Sequence, residues 1–134
     1  MKKAGKILLG IVIFIGILVI GISIFMKNEI SQTSKRLDEV AIVNLADVAD
    51  GIYEGIEETT LVKVTVKVEV KDHKLTDIQL IRHDNGKGQS AEAMIPEMLR
   101  ENTSEVDEVS GATMSSKTIR AAVRKALAKG TEKQ

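Results

Sequence analysis

The residues best placed to do chemistry are Asp107-Glu108-Val109-Ser110-Gly111-Ala112-Thr113, a small and polar run that ends just ahead of an amphipathic helical pattern. Thr113 supplies a nucleophilic hydroxyl. Gly111 lets backbone approach a ligand closely, and Ala112 adds little bulk. Ser110, Ser115 and Ser116 contribute further hydroxyl donors. A helix beginning just downstream directs its free N–H groups and partial positive charge back at such a turn. A phosphate monoester at Thr113 is favoured there. A plainer account of the same residue types is that Ser115 or Ser116 only caps the helix.

A second cluster is His83-Asp84-Asn85-Gly86-Lys87-Gly88-Gln89, which reads as a flexible loop with two glycines. His83 is either a donor to a ligand or a solvated loop histidine. Lys87 either reaches a phosphate or ring carbonyl or stands as a surface lysine. His73 falls in a turn and is expected to be solvated. The two histidines are ten positions apart with no evident carboxylate partners, so no metal site is expected. No nucleophile–base set or carboxylate pair stands out, so no catalytic residue is assigned. The chain has no cysteine, which excludes disulfides, iron–sulfur clusters and thiolate zinc sites.

These residues need a scaffold, and the pattern supplies one. Val62, Val64, Val66, Val68 and Val70 alternate with Lys63, Thr65, Lys67, Glu69 and Lys71, predicting a strand over 61–71 with one buried face. Asp72-His73 makes a turn, and residues 74–82 return as a second antiparallel strand. Residues 51–57 form a shorter strand carrying Tyr53. Residues 37–48 suggest a short helix. Ser90 can cap a helix from Ala91 that Pro96 divides, giving two pieces up to Glu101. Ile119, Ala122, Val123, Ala126 and Leu127 mark a helix over 117–129, which Gly130 can end before a polar tail at 131–134.

Residues 7–26 are an uncharged run of twenty, long enough to cross a bilayer. Lys2, Lys3 and Lys6 precede it, which favours a cytoplasmic N-terminus and an exported remainder. A cleaved signal peptide is the rival, but Ser-Ile-Phe-Met-Lys at the end of the run makes a poor cut site. Gly10, Gly16 and Gly21 lack the spacing of a helix-dimer face. The expected organisation is a tail and membrane anchor over 1–27, a linker and short helix over 28–46, and a domain over 47–130. The whole chain has nineteen basic and nineteen acidic side chains. Without Lys2, Lys3, Lys6 and Lys27, which follows the span, fifteen basic face nineteen acidic, so nucleic acid is not an expected partner. Tyr53 is the one aromatic outside the span, so a core and any ring-binding wall must be aliphatic.

Several of these motifs together resemble the FMN-binding domain family. Asp107, Ser110, Gly111, Ala112 and Thr113 are similar to its D-x-x-(S/T)-G-A-T flavinylation motif. Asp50-Gly51-Ile52-Tyr53-Glu54-Gly55 resembles its opening strand, the valine hairpin its next two strands, and His83 with Gly86-Lys87-Gly88 the loop beside the flavin. The resemblance covers roughly residues 47–128. Similar domains belong to the C subunit of the sodium-pumping NADH:quinone oxidoreductase, the G subunit of the Rnf complex and small exported flavoproteins. The resemblance implies FMN attached to Thr113 as a phosphoester by a separate Mg²⁺-dependent flavin transferase that uses FAD. It implies that Asp107, Ser110, Gly111 and Ala112 are what that enzyme recognises. Larger relatives carry a Glu-Thr-Pro-Gly-type loop where this chain has His83-Asp84-Asn85-Gly86, so ring contacts there do not transfer.

The expected fold is α+β, a small antiparallel sheet packed against helices and preceded by one transmembrane helix. The expected function is a membrane-anchored electron carrier with FMN on Thr113. Ser115, Ser116, His83, Gly86, Lys87 and Gly88 are expected around the cofactor. Expected partners are the flavin transferase, redox proteins in or on the membrane, and lipid through residues 7–26. The alternatives are a non-covalent FMN module or sensor and a cofactor-free tethered scaffold.

Overall fold

The computed structural model describes residues 2–133. Chain contacts divide into two units, Met1–Lys35 and Arg36–Gln134. The first is the greater part of helix α1, Lys2–Asp38, whose most apolar stretch has a mean hydropathy of 3.1. Among the described residues this is the one helix long and apolar enough to cross a membrane. Its one polar side chain within 7–26, Ser23, donates to the Val19 carbonyl at 2.8 Å, so its hydroxyl is satisfied inside the helix.

Helix α1 corrects the expected linker. Residues 28–36 are helical without a break, because they contain neither Gly nor Pro and include Glu, Gln, Lys and Arg, all good helix formers. The short helix expected over 37–48 is also absent. Leu37 and Asp38 end α1, and a single 3-10 turn follows at Leu45–Asp47. Asn44 accepts from the Ala46 N–H at 3.0 Å, the local bond by which Asn competes with a regular helix.

In the second unit the sheet order is β1-β2-β3, all antiparallel, from β1 (Gly51–Glu58), β2 (Lys63–Lys71) and β3 (Lys74–Asp84). Strand β2 starts two residues later than the valine pattern suggests. Thr59 closes a tight turn there, its hydroxyl accepting from the Val62 N–H at 2.9 Å. Asp72 and His73 have φ of 49° and 59°, a primed two-residue turn that matches the twist of the flanking strands. His73 is exposed, as expected, with Nδ1 at 3.2 Å from the Leu45 carbonyl.

Strand β3 is not a plain alternation. The register slips between Thr65 and Val66 and again between Glu69 and Val70, leaving Ile81 and Thr76 as extra residues on β3. Each slip reverses which side the following residues face. The inward set is therefore Leu75, Ile78, Leu80 and His83. On strict alternation from Ile78 and Leu80, His83 would face solvent.

The valines of β2 and the Ile119-Ala122-Val123-Ala126-Leu127 face of the C-terminal helix form a fully buried core. Small residues let helix and sheet approach closely: a Cβ on Gly55 would lie 1.9 Å from the Ala122 carbonyl oxygen. Helix α3 spans Thr113–Thr131, four residues longer at its start than the apolar pattern suggests. Ser115 and Ser116 are thus inside its first turn and cap nothing. Gly130 does not end it; a Cβ there would meet Val48 at 2.4 Å, so the glycine serves packing. Ahead of it, a 3-10 turn at Gln89–Ala93 leads into α2, Met94–Glu101; there are two pieces, as expected, but the break falls before Met94 and not at Pro96. Pro96 is third in α2, where its missing N–H breaks no helical bond. Gly88, rather than Ser90, occupies the cap position of the 3-10 turn, with no side-chain bond. The tail is described as far as Lys133; Met1 and Gln134 lie outside the described residues.

Candidate cofactor-binding cleft

Two loops that are distant in sequence meet at the start of α3. Asn85, Gly86, Lys87 and Gly88 form one wall, and Gly111, Ala112, Thr113, Met114 and Ser115 the other, with Leu61 and Val62 completing the cleft. Its volume is about 470 Å³, within the range of small-molecule sites.

The turn into the helix is fixed from within. The Ala112 N–H donates to the Val109 carbonyl at 3.0 Å, and the Ser116 N–H to the Ala112 carbonyl at 2.9 Å. Ser116 is fully buried, and its hydroxyl accepts from the Val109 N–H at 3.0 Å. It therefore shapes the turn and does not line the cleft. Gly111 has φ +80°, a left-handed conformation that side-chain-bearing residues avoid, and nothing of the protein lies within 4 Å of a Cβ built there. Ala112 caps α3 without a side-chain acceptor, so the leading N–H groups of the helix are left for a ligand. Thr113 is the first residue of α3 and is exposed on the cleft wall.

The opposite loop is held tightly. A Cβ on Gly88 would lie 2.0 Å from Ser115 Oγ, so only glycine lets this loop close on the helix. Lys87 is exposed on the rim. Arg82 pairs with Asp84 at the end of β3, and its hydrogen bond holds the Asp84 carboxyl below the usual carboxylate range.

Of the residues singled out from sequence, Gly86, Lys87, Gly88, Gly111, Ala112, Thr113 and Ser115 line the cleft. Asp107 and Ser110 are exposed outside it. His83 is neither solvated nor in the loop. It is the penultimate residue of β3, its side chain 2 % exposed and directly behind Ser115. Sequence reasoning missed Leu61, Val62, Asn85 and Met114 as lining residues, and Glu92 as the partner of His83. Asn85 sits in the loop already singled out, and Met114 adjoins Thr113, so both could have been found. Nothing in the spacing signals Glu92.

The FMN-binding domain family matches residues 61–128, just over half of the chain. The chain belongs to the FMN-binding domain family. A search of curated proteins finds no match. The matched segment contains every residue that lines the cleft, and FMN is the cofactor that the family indicates. The residues present fit that group. The uncapped start of α3 and its hydroxyls suit a phosphate, while Leu61, Val62, Ala112 and Met114 give an apolar wall for a flat ring. This FMN-binding chain supplies no aromatic to that wall, in keeping with its aliphatic composition.

Proposed function

We propose that this FMN-binding protein is anchored in the cytoplasmic membrane with its domain outside, carries FMN as a phosphoester on Thr113, and passes electrons between redox partners. The observation that carries this reading is the position of Thr113. Its side chain is exposed at the first position of α3, on the wall of the cleft, within Ser110-Gly111-Ala112-Thr113. A phosphate joined there sits against the helix N-terminus. The lysines ahead of residue 7 support the orientation.

The chain is the substrate of loading rather than its catalyst. A flavin transferase acts on FAD: the Thr113 oxygen bonds to the phosphorus of the FMN half, the pyrophosphate bond breaks, AMP leaves and the hydroxyl proton is released. Asp107 and Ser110, exposed beside the cleft, are open to that enzyme. When bound, FMN supplies the redox chemistry. The protein's part is to hold the phosphate, exclude water on the Leu61–Val62 side and keep Thr113 reachable. The proposed donor is a quinol-linked dehydrogenase of the membrane, and the acceptor another flavoprotein or an external oxidant.

Intact mass of the full chain, coexpressed in an exporting host with a flavin transferase, tests this. The expected result is an added mass of FMN less water, mapped to Thr113. A yellow protein whose colour is lost on acid precipitation would instead establish non-covalent binding. A colourless, unmodified protein would leave the scaffold role.

A further inference from the structure

Behind the cleft wall, three side chains form a relay that flavin attachment does not use. His83 Nδ1 lies 2.9 Å from Glu92 Oε1, and its Nε2 lies 3.1 Å from Ser115 Oγ. Ser115 is buried and lines the cleft, whereas the Glu92 side chain is 40 % exposed and meets solvent. An ionised Glu92 only accepts, so Nδ1 carries a hydrogen. Two states of Nε2 remain.

With His83 neutral, Nε2 accepts the Ser115 hydroxyl hydrogen, and Ser115 offers the cleft only lone pairs. With His83 as imidazolium, Nε2 donates to Ser115 Oγ, and the hydroxyl hydrogen is freed toward the cleft. A phosphate oxygen can only accept. It opposes the first state and matches the second. Charge acts the same way, since an imidazolium would lie between the Glu92 carboxylate and the phosphate. Of the other groups facing His83, Asn85 is neutral; its Nδ2 donates to the His83 carbonyl at 3.0 Å and lies 3.4 Å from Nδ1, a longer contact than the 2.9 Å to Glu92. Asp84, the next residue, is engaged by Arg82, and Lys63 on β2 pairs with Asp84 in register. The residue across from His83 itself is Val64.

We infer that a phosphate ester in the cleft drives proton uptake by His83, with Ser115 as the hydroxyl that reorients and Glu92 as the balancing charge. This rests on the FMN reading above. One proton enters from solvent and forms the Nε2–H bond; no other covalent bond is made or broken. His83 and Glu92 are positioning residues acting through Ser115. The state of a buried histidine thereby reports whether the site is loaded, and phosphate holding weakens as pH rises.

The test is ¹⁵N-histidine NMR of the full chain in detergent micelles, with and without coexpressed flavin transferase. Only two histidines are present, and His83→Gln assigns them. At neutral pH the unloaded chain should show His83 with an unprotonated Nε2. The loaded chain should show both nitrogens protonated, a rise of at least ~10-fold in the imidazolium-to-imidazole ratio. In the fraction that carries FMN by mass, Ser115→Ala should remove the difference, and Glu92→Gln should reduce it. A loaded chain whose His83 state matches the unloaded one overturns the inference and leaves the FMN reading standing. A chain that takes no FMN by mass removes both.

Discussion

Gly88 and Ser115 are packed so closely that a single methyl group cannot enter between them. A Cβ at position 88 would lie 2.0 Å from Ser115 Oγ and 2.7 Å from its Cβ. This contact joins the 85–88 loop to the start of α3, and so it sets the width of the cleft. Gly88→Ala should destabilise the fold by about 1–3 kcal/mol, the usual range for overpacking. It should also lower the yield of flavin loading. Thermal unfolding and intact mass read the two effects; an unchanged yield with a lowered Tm would mean that loop position is not what loading requires.

Thr113 and Gly111 separate chemistry from conformation. Thr113 is exposed at the helix start, so Thr113→Ala should change stability by no more than about 0.5 kcal/mol and abolish covalent flavin. If that variant loads normally, the acceptor lies elsewhere. Gly111→Val should block loading too, by crowding the phosphate approach and by straining the backbone. No protein atom crowds the site; the strain comes from φ +80°. A β-branched residue there should cost about 1–3 kcal/mol, visible as a lowered Tm even without the transferase.

Gly55 tests the packing that holds α3 in place. A Cβ there would meet the Ala122 carbonyl at 1.9 Å and the Ala126 nitrogen at 2.9 Å. Both are backbone atoms of a helix and cannot step aside as a side chain can. Gly55→Ala should therefore exceed the ordinary overpacking range of about 1–3 kcal/mol and displace α3 from the sheet. A variant with wild-type hydrogen-exchange protection in α3 would contradict that packing account.

Much of the fold was legible because period-two valines and a period-3.6 face are local signals. The hairpin, the helix carrying Ile119 and Leu127, and the Ser-Gly-Ala-Thr turn all belong to this class. His83 was not legible. Its inward direction depends on the extra residue Ile81, a bulge that alternation cannot show. Ser115 and Ser116 looked like caps because their partners, His83 and the Val109 N–H, are set by tertiary contact. The continuation of α1 through residues 28–36 was missed for the opposite reason: polar residues with good helix propensity carry no apolar period to read.

Glu105 and Arg124 make the fold acid-sensitive in a predictable sense. Arg124 is buried. Its Nε donates to Glu105 Oε1 at 2.8 Å and its Nη2 to Oε2 at 2.5 Å, while Nη1 donates to the Val40 carbonyl at 2.9 Å. The Arg124 hydrogen bond, aided by Ser104, holds the Glu105 carboxyl below its ordinary value, against the opposing effect of burial. A carboxyl lowered on folding stabilises the native state above its unfolded pKa, about 4.3. That contribution is lost as pH falls through the lower folded value. Glu105→Gln should therefore be less stable than the wild type at neutral pH, and the difference should shrink and vanish on acidification. Arg124→Met should cost more, about 1–3 kcal/mol, because it takes the donor from the Val40 carbonyl and from the part-exposed Glu105 carboxylate. Urea unfolding of the full chain in detergent across the acid range measures both. A gap between wild type and Glu105→Gln that persists at the acid end would show that the ion pair does not carry the pH dependence.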